Sequence, residues 1–423
     1  MSPAVLLLAA LLAAPARAAD VYIGVSGSSS RQTFSLGLAA FEPADPKSRE
    51  DAEEGRLVRE VVRADLLFSR SFDVLDQPPA ADKDPLAAWK SAGAAFLLKA
   101  SARRAADSLF VEASLTDLGS GQALFSRQYR QKEADWRQLA HTLSDDVVRQ
   151  VTGRAGIATS HIAFVNNQTG DKEVYIADYD GQDVRRVTAN RSLNLLPRWR
   201  PDGRALAFTS YKEGNPDLYL YDFTQGVLSV VSNRQGLNVA GGFSPDGGSL
   251  AITMSRGRQP NIFVVDMNTL TSRQVTNGYG VDSSPTFSPD GQQIAFVSDR
   301  AGNPEVHILE LSTGRVRRLT RLNWCDSPSW SPNGDWIAFT GRAYRKDNLD
   351  IFLVDTTGTR LVQLTHGEGQ NETPSWSPDG RYLTFSSTRE GGVPKIFVMD
   401  ADGSAPRAII SLKGASSTPN WGR

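Results

Sequence analysis

At the head of a recurring turn motif the sequence sets a small polar residue six times: Asn194, Asn238, Asp282, Cys325, Asn371 and Ser416, with Asp326 and Glu372 one position further on. Amide and carboxylate oxygens grouped in this way suit a protein loop, a sugar or a calcium ion, or they simply take up water on exposed loops. A second pairing, His141 with Asp145, stands four residues apart on a helical stretch, where the two would share a proton or an ion. It has no nucleophile or third ligand beside it, so a surface or domain-interface pair is the reading its surroundings favour. The remaining histidines, His161, His307 and His366, are scattered, and Cys325 is the single cysteine, which leaves neither an internal disulfide nor a cysteine-rich zinc site. No G-x-S-x-G elbow, phosphate loop or G-x-G-x-x-G fingerprint occurs. The sequence supplies no enzyme chemistry and expects no cofactor, calcium in the ring excepted.

The polar positions are carried by a repeat. An aromatic followed by S-P-D-G or a near copy recurs at Trp199, Phe243, Phe287, Trp330 and Trp376, and a truncated copy ends the chain at Trp421. The spacings are 44, 44, 43, 46 and 45 residues, a period that belongs to propeller blades. After each complete turn comes an apolar triplet, then a strand ending in an acid, then a strand ending near Thr or Ser. Four short strands per unit make a blade. Proline presets φ, Asp or Asn bonds back to nearby backbone and glycine accepts positive φ, so the motif is a hairpin turn and its acids are turn formers. The first unit, from His161, lacks the aromatic turn, whereas the last, "PNWGR", lacks everything after it. The fragments complete one another, which predicts six blades closed into a ring by pairing the C-terminal strand with the first strand of the repeat region.

Ahead of the repeat the pattern mixes helix and strand. Helical spacing runs from Glu50 to Phe68, a short helix opens at Pro85, three strands follow between Phe96 and Gln131, and a last helix stops at Gly153. The predicted fold is therefore multidomain: a signal peptide over 1–18, a mobile arm over 19–32, an α/β domain over 33–156 and an all-β six-bladed propeller over 157–423. The leading apolar run, Ala4 to Ala14, is too short for a membrane helix and precedes the small-residue site Ala16-Arg17-Ala18, so export without membrane insertion is expected. With a formal net charge of −1 on 423 residues, nothing in the overall charge points to nucleic acid or an anionic membrane surface, and no nucleic-acid partner is expected.

An exported α/β domain joined to "FSPDG" blades resembles the TolB family of the Tol-Pal system, and the junction "AHTLSDDVVRQVTGRAGIATSHIAFV" (Ala140 to Val165) carries the most specific part of the likeness. The resemblance implies a periplasmic, monomeric scaffold. It implies that the channel mouth, here Asn194, Asn238, Asp282, Asp326, Asn371 and Glu372, binds the lipoprotein Pal. It also implies that the arm, here Asp20, Val21, Tyr22, Ile23 and Val25, binds the C-terminal domain of TolA by strand addition, in a complex that keeps the outer membrane joined to the cell wall during division. Two places depart from the family pattern: the arm runs into "SGSSS", and Asn238 to Gly242 lacks the proline of the other turns, which is expected to reshape one mouth loop. The rival readings are a propeller accessory domain of a lyase or hydrolase and a module that binds peptidoglycan directly.

Overall fold

In the computed structural model, residues 33–77, 85–255, 257 and 259–423 are described. The signal and arm predictions, with Asp20, Val21, Tyr22, Ile23 and Val25, fall outside them.

The α/β domain is a five-stranded sheet, β1 (Phe34–Pro43), β2 (Phe72–Leu75), β3 (Phe96–Ala105), β4 (Ser108–Asp117) and β5 (Ala123–Lys132), in the order β2-β1-β3-β4-β5. β1 runs parallel to both β2 and β3, and the remaining pairs are antiparallel. The parallel β1–β2 pair needs a crossover, which α1 (Arg49–Phe68) provides, and the short α2 (Pro85–Ser91) leads into β3. α1 starts at Ser48, whose Oγ accepts the amide of Asp51 at 3.1 Å. It buries Val58, Val62 and Leu66, and α3 (Trp136–Thr152) buries Leu139, Leu143 and Val147 beside them on the sheet. Each of these side chains contributes about 1.5–3 kcal/mol by leaving water. Gly153, at φ 71°, ends α3 in the left-handed conformation and returns its amide to Arg149 O.

Six four-stranded antiparallel sheets follow. Blade 1 is closed as the broken repeat requires: Ser416–Gly422 forms its inner strand and pairs with His161–Asn166, from Ser416↔Asn166 to Gly422↔His161. Blades 2 to 6 have inner strands Asn194–Trp199, Asn238–Phe243, Asp282–Phe287, Trp324–Trp330 and Asn371–Trp376. The apolar triplets fill the spaces between blades; Leu206, Ile252, Ile294, Phe339 and Phe385 are fully buried. The S-P-D-G turns close as expected: Gly247, at φ 71°, donates its amide to Ser244 O, and the Asp246 carboxylate accepts from Gly248 N. The acids that end the third strands form turns at Asp222, Asp266 and Asp355, each accepting amides just downstream. In blades 1 and 6 the matching acids are diverted: Asp178 pairs with Arg137 and Asp400 with Arg70, both on the α/β domain.

Those two ion pairs show where the domains meet. Tyr382 Oη donates to Phe68 O at 2.8 Å, Arg381 reaches Ser69 O, and the Phe68 ring lies against Tyr179 and Tyr382. All of these propeller residues sit at the end of the blades that bears the S-P-D-G turns. The α/β domain therefore covers that face of blades 1 and 6 and leaves the opposite end of the channel open.

Candidate functional site: the open mouth of the propeller

In every blade the inner strand begins at the open end, beside the end of the second strand, as in Asn371↔Ser387 and Asp282↔Ser298. The sequence placed its polar ring at this end, and the structure divides that ring in two. Asn194, Asn238, Asp282 and Asn371 are not on the channel surface; each is at most 1% exposed. Asn194, Asn238 and Asn371 are joints between blades. Asn371 Nδ2 donates to Asp350 Oδ1 of the preceding blade (3.0 Å), and Thr365 Oγ1 donates to the same oxygen (2.6 Å) while accepting Ile351 N. Asn194 repeats this with Glu173 and Thr188. Cys325 occupies the position beside Glu305 and Thr320, and Asp282 instead holds Arg300 through both carboxylate oxygens (2.9 and 2.9 Å). Asn238 spends its amide on the carbonyls of Pro216, Arg234 and Gly236.

The reason is the cost of an unmet polar group. The head of each inner strand is buried, in three blades against the preceding blade, so a polar side chain there must find its partners within the protein. The expectation that these four residues face a partner is thus corrected by their burial. The joints also yield a prediction. Asp350→Asn keeps the shape but turns one acceptor into a donor facing the amides and hydroxyl that Asp350 now receives, and it is expected to cost about 2 kcal/mol, read as a lower midpoint in urea unfolding; an unchanged midpoint would show that the joint contributes nothing.

Asp326 and Glu372 are different. They follow the joint position on the inner strands of blades 5 and 6, are half-buried, and face the channel together with Arg198 from blade 2. Asp326 Oδ1 accepts Ser284 Oγ (2.9 Å) and Ser327 N (2.6 Å), while the Glu372 carboxylate meets no donor among the described residues. Burial raises the pKa of both, opposed at Asp326 by its two hydrogen bonds and the charge of Arg198, and reinforced at Glu372 by the charge of Asp326. Burial lowers Arg198 to about 10, with Asp326 pulling the other way. Arg198 Nε donates to Gly241 O at 2.7 Å. This is where the missing proline matters. A β-carbon at Gly241 would lie 2.4 Å from Ala251 O and 2.4 Å from Pro285 Cγ, so only glycine fits this part of the channel wall. In the other five blades the residue before the proline is left-handed (Leu196, Ser284, Ser327, Thr373 and Thr418), whereas Ala240 is not. The expected change at this loop is thus local and serves Arg198.

The inner-strand heads therefore present two carboxylates with oxygens to spare, one guanidinium and small hydroxyls. Among the described residues no three His, Cys, Asp or Glu side chains are grouped to hold a metal ion. His141, singled out with Asp145, lies at the domain interface and has other partners. Its Nδ1 is 2.8 Å from Asp65 Oδ2 and its Nε2 is 3.4 Å from Asp178 Oδ2. Asp145 instead accepts the amides of Ala158 and Thr159 in the connecting segment.

A six-bladed propeller with an α/β domain seated on one face and a channel mouth open on the other defines a two-domain class of propeller protein. Family comparison narrows the class. The model described as the TolB beta propeller domain matches residues 148–423, and that of the TolB amino-terminal domain matches residues 23–124. The chain belongs to the TolB family. A Tol-Pal system protein TolB of Geobacter sulfurreducens is 40% identical over 195 residues, 44% of each chain, and one from Anaeromyxobacter dehalogenans is 36% identical over 208 residues, 47% of each. The chain thus spans less than half the length of the curated relatives it matches. The crystal structure of TolB from Acinetobacter baumannii is 28% identical and superposes with a TM-score of 0.78, covering 92% of this chain and 96% of that one. Among the described residues no helix is long and apolar enough to cross a membrane.

Proposed function

We propose that the protein is a non-enzymatic periplasmic scaffold of the Tol-Pal system. It binds the lipoprotein Pal at the open mouth and the C-terminal domain of TolA through the arm residues Asp20, Val21, Tyr22, Ile23 and Val25, and it keeps the outer membrane joined to the wall as the cell constricts. The observation that supports this reading best is the division of the two propeller faces. One is occupied by the chain's own α/β domain, and the other presents Asp326 and Glu372 with unspent oxygens, suited to the N–H groups of a docked loop. No cofactor belongs to the proposal, since calcium takes six to eight oxygens and the joints have consumed most of the ring's.

The test is a calorimetric titration of residues 19–423 with the soluble domain of the Pal homologue from the same genome, and in parallel with purified peptidoglycan. Saturable one-to-one binding to Pal is expected. Binding to peptidoglycan with none to Pal would replace this reading with direct recognition of the cell wall.

A further inference from the structure

Blades 4 and 6 each carry an arginine at the open face and supply its acceptors internally. Arg300 donates from Nε to Ser298 Oγ (2.8 Å) and from Nη2 to Asp282. Arg389 donates from Nε to Ser387 Oγ (2.9 Å) and from Nη2 to Asn371 Oδ1 (2.9 Å). In blade 5 the residues paired at the same places are Cys325 and Gly341, which offer no side-chain oxygen. The position that matches Arg300 and Arg389 is Ala343, and the arginine nearest to it is Arg342, one residue earlier at the end of the second strand. Its guanidinium lies over the Trp324 ring, 5.9 Å from the centroid, and its Nε is buried without an acceptor. It lines a cavity of about 270 Å³ together with Asp347, Asn348, Phe352, Gln363 and His366.

Two acids share this wall. Asp350 already accepts from Thr365, Gly367, Gln363 and Asn371, so its charge is met from within. Asp347 accepts the Tyr344 amide and stands beside Arg345 and Lys346 in the same loop. Among the described residues neither acid forms an ion pair with Arg342, whose Nε is left without an acceptor.

We propose that Arg342 and this cavity bind a carboxylate presented at the open face, whether on an acidic side chain or at a peptide C-terminus. The inference goes beyond the scaffold reading and does not depend on which protein docks. A guanidinium offers paired, coplanar donors that match a carboxylate, and holding it over Trp324 fixes their direction in advance. The volume admits a carboxymethyl or carboxyethyl group with water to spare.

The experiment follows backbone amide shifts of residues 19–423 during titration with three probes: N-acetylglutamate α-amide, N-acetylalanine and the neutral isostere N-acetylglutamine α-amide. The first two are expected to move the amides of Ala343, Asn348 and Gly367 saturably, with Kd on the order of 10 mM for a charge-assisted hydrogen-bonded pair, and the neutral probe is expected to leave them in place. Response to only one carboxylate would identify which source the cavity takes. Arg342→Gln is expected to weaken binding at least about tenfold, and Arg342→Lys, which keeps the charge but loses the paired donors, at least about threefold. Among the described residues the Arg342 side chain makes no hydrogen bond, and its backbone bond to Asn323 is kept in either variant, so both should melt with the parent. Equal response to the neutral probe, or an unchanged Kd in Arg342→Gln, would overturn the assignment.

Discussion

Replacing His141 with leucine is expected to lower the stability of the protein by about 3–5 kcal/mol and to flatten its pH dependence between pH 6.5 and 9.5. His141 is fully buried on α3, with Asp65 of the α/β domain on one ring nitrogen and Asp178 of the propeller on the other. Burial alone would push its pKa down; hydrogen bonds to Asp178 and Asp65 and the charges of both more than offset this and hold it at about 9. Arg137 binds Asp178 and Asp180, Tyr179 Oη donates to Asp65 Oδ1 at 2.8 Å, and His161, whose pKa burial lowers, stands on the far side of Asp178. A folded pKa above the unfolded one means that the stabilisation is complete below about pH 6.5 and is lost as pH rises through 9, a difference worth about 3 kcal/mol. Asp178 acts in the opposite direction. Its pKa is lowered because His141 and Arg137 outweigh its burial, so its contribution disappears only in acid and leaves the alkaline window to His141. The parent should therefore lose about 5 °C of melting temperature between pH 6.5 and 9.5, and His141→Leu should show little slope there. Equal slopes would remove His141 from the account of how the domains are held together.

This clamp could not be read from the chain, because its members are brought together by the docking of two domains. His141 and Asp65 are 76 residues apart, and Arg70 and Asp400 are 330 apart. Asp178 and Asp400 sit at the same repeat position as Asp222 and Asp266, so turn chemistry predicts one role for all four; the α/β domain on blades 1 and 6 imposes the other. The propeller was legible because blades 2 to 6 repeat the same solution, a bulky aromatic, a glycine with positive φ and an apolar triplet in fixed order, and blade 1 is made from the two incomplete copies.

The polar ring was legible in position but not in direction. A small polar residue at the head of a strand serves equally well as a surface ligand or a buried joint, and periodicity does not distinguish them. The spacing does hold a signal. Glu173, Thr188 and Asn194 are separated by the same 15 and 21 residues as Asp350, Thr365 and Asn371. An acid, a threonine and an asparagine recurring at those intervals describe a hydrogen-bonded unit that spans a blade and the start of the next. Asp326 and Glu372 fall one residue outside that unit, which is why they reach the channel.

If Pal docks at the mouth as proposed, changing those two together, Asp326→Asn with Glu372→Gln, is expected to weaken its binding about a hundredfold while leaving the protein at least as stable at neutral pH. Burial raises the pKa of each above its unfolded value, so folding favours their protonated forms. Their charges then oppose folding at neutral pH, and that opposition disappears as pH falls below the carboxylate range. Removing the charges relieves it, and the amides retain hydrogen-bonding capacity toward Ser284 and Ser327. The lost affinity follows from position. Partly desolvated carboxylates at the centre of a mouth are where a docked loop gains most from charge-assisted hydrogen bonds, and losing the charge at about 1.4 kcal/mol for each residue gives the hundredfold for the pair. Melting curves and titrations run on one preparation separate the two effects. A variant that melts earlier than the parent at pH 7 would assign the pair to the fabric of the channel, and one that binds Pal unchanged would move the contact surface away from the mouth. The combination expected here, lower affinity without lower stability, is the signature of side chains kept at an energetic cost for the sake of a partner.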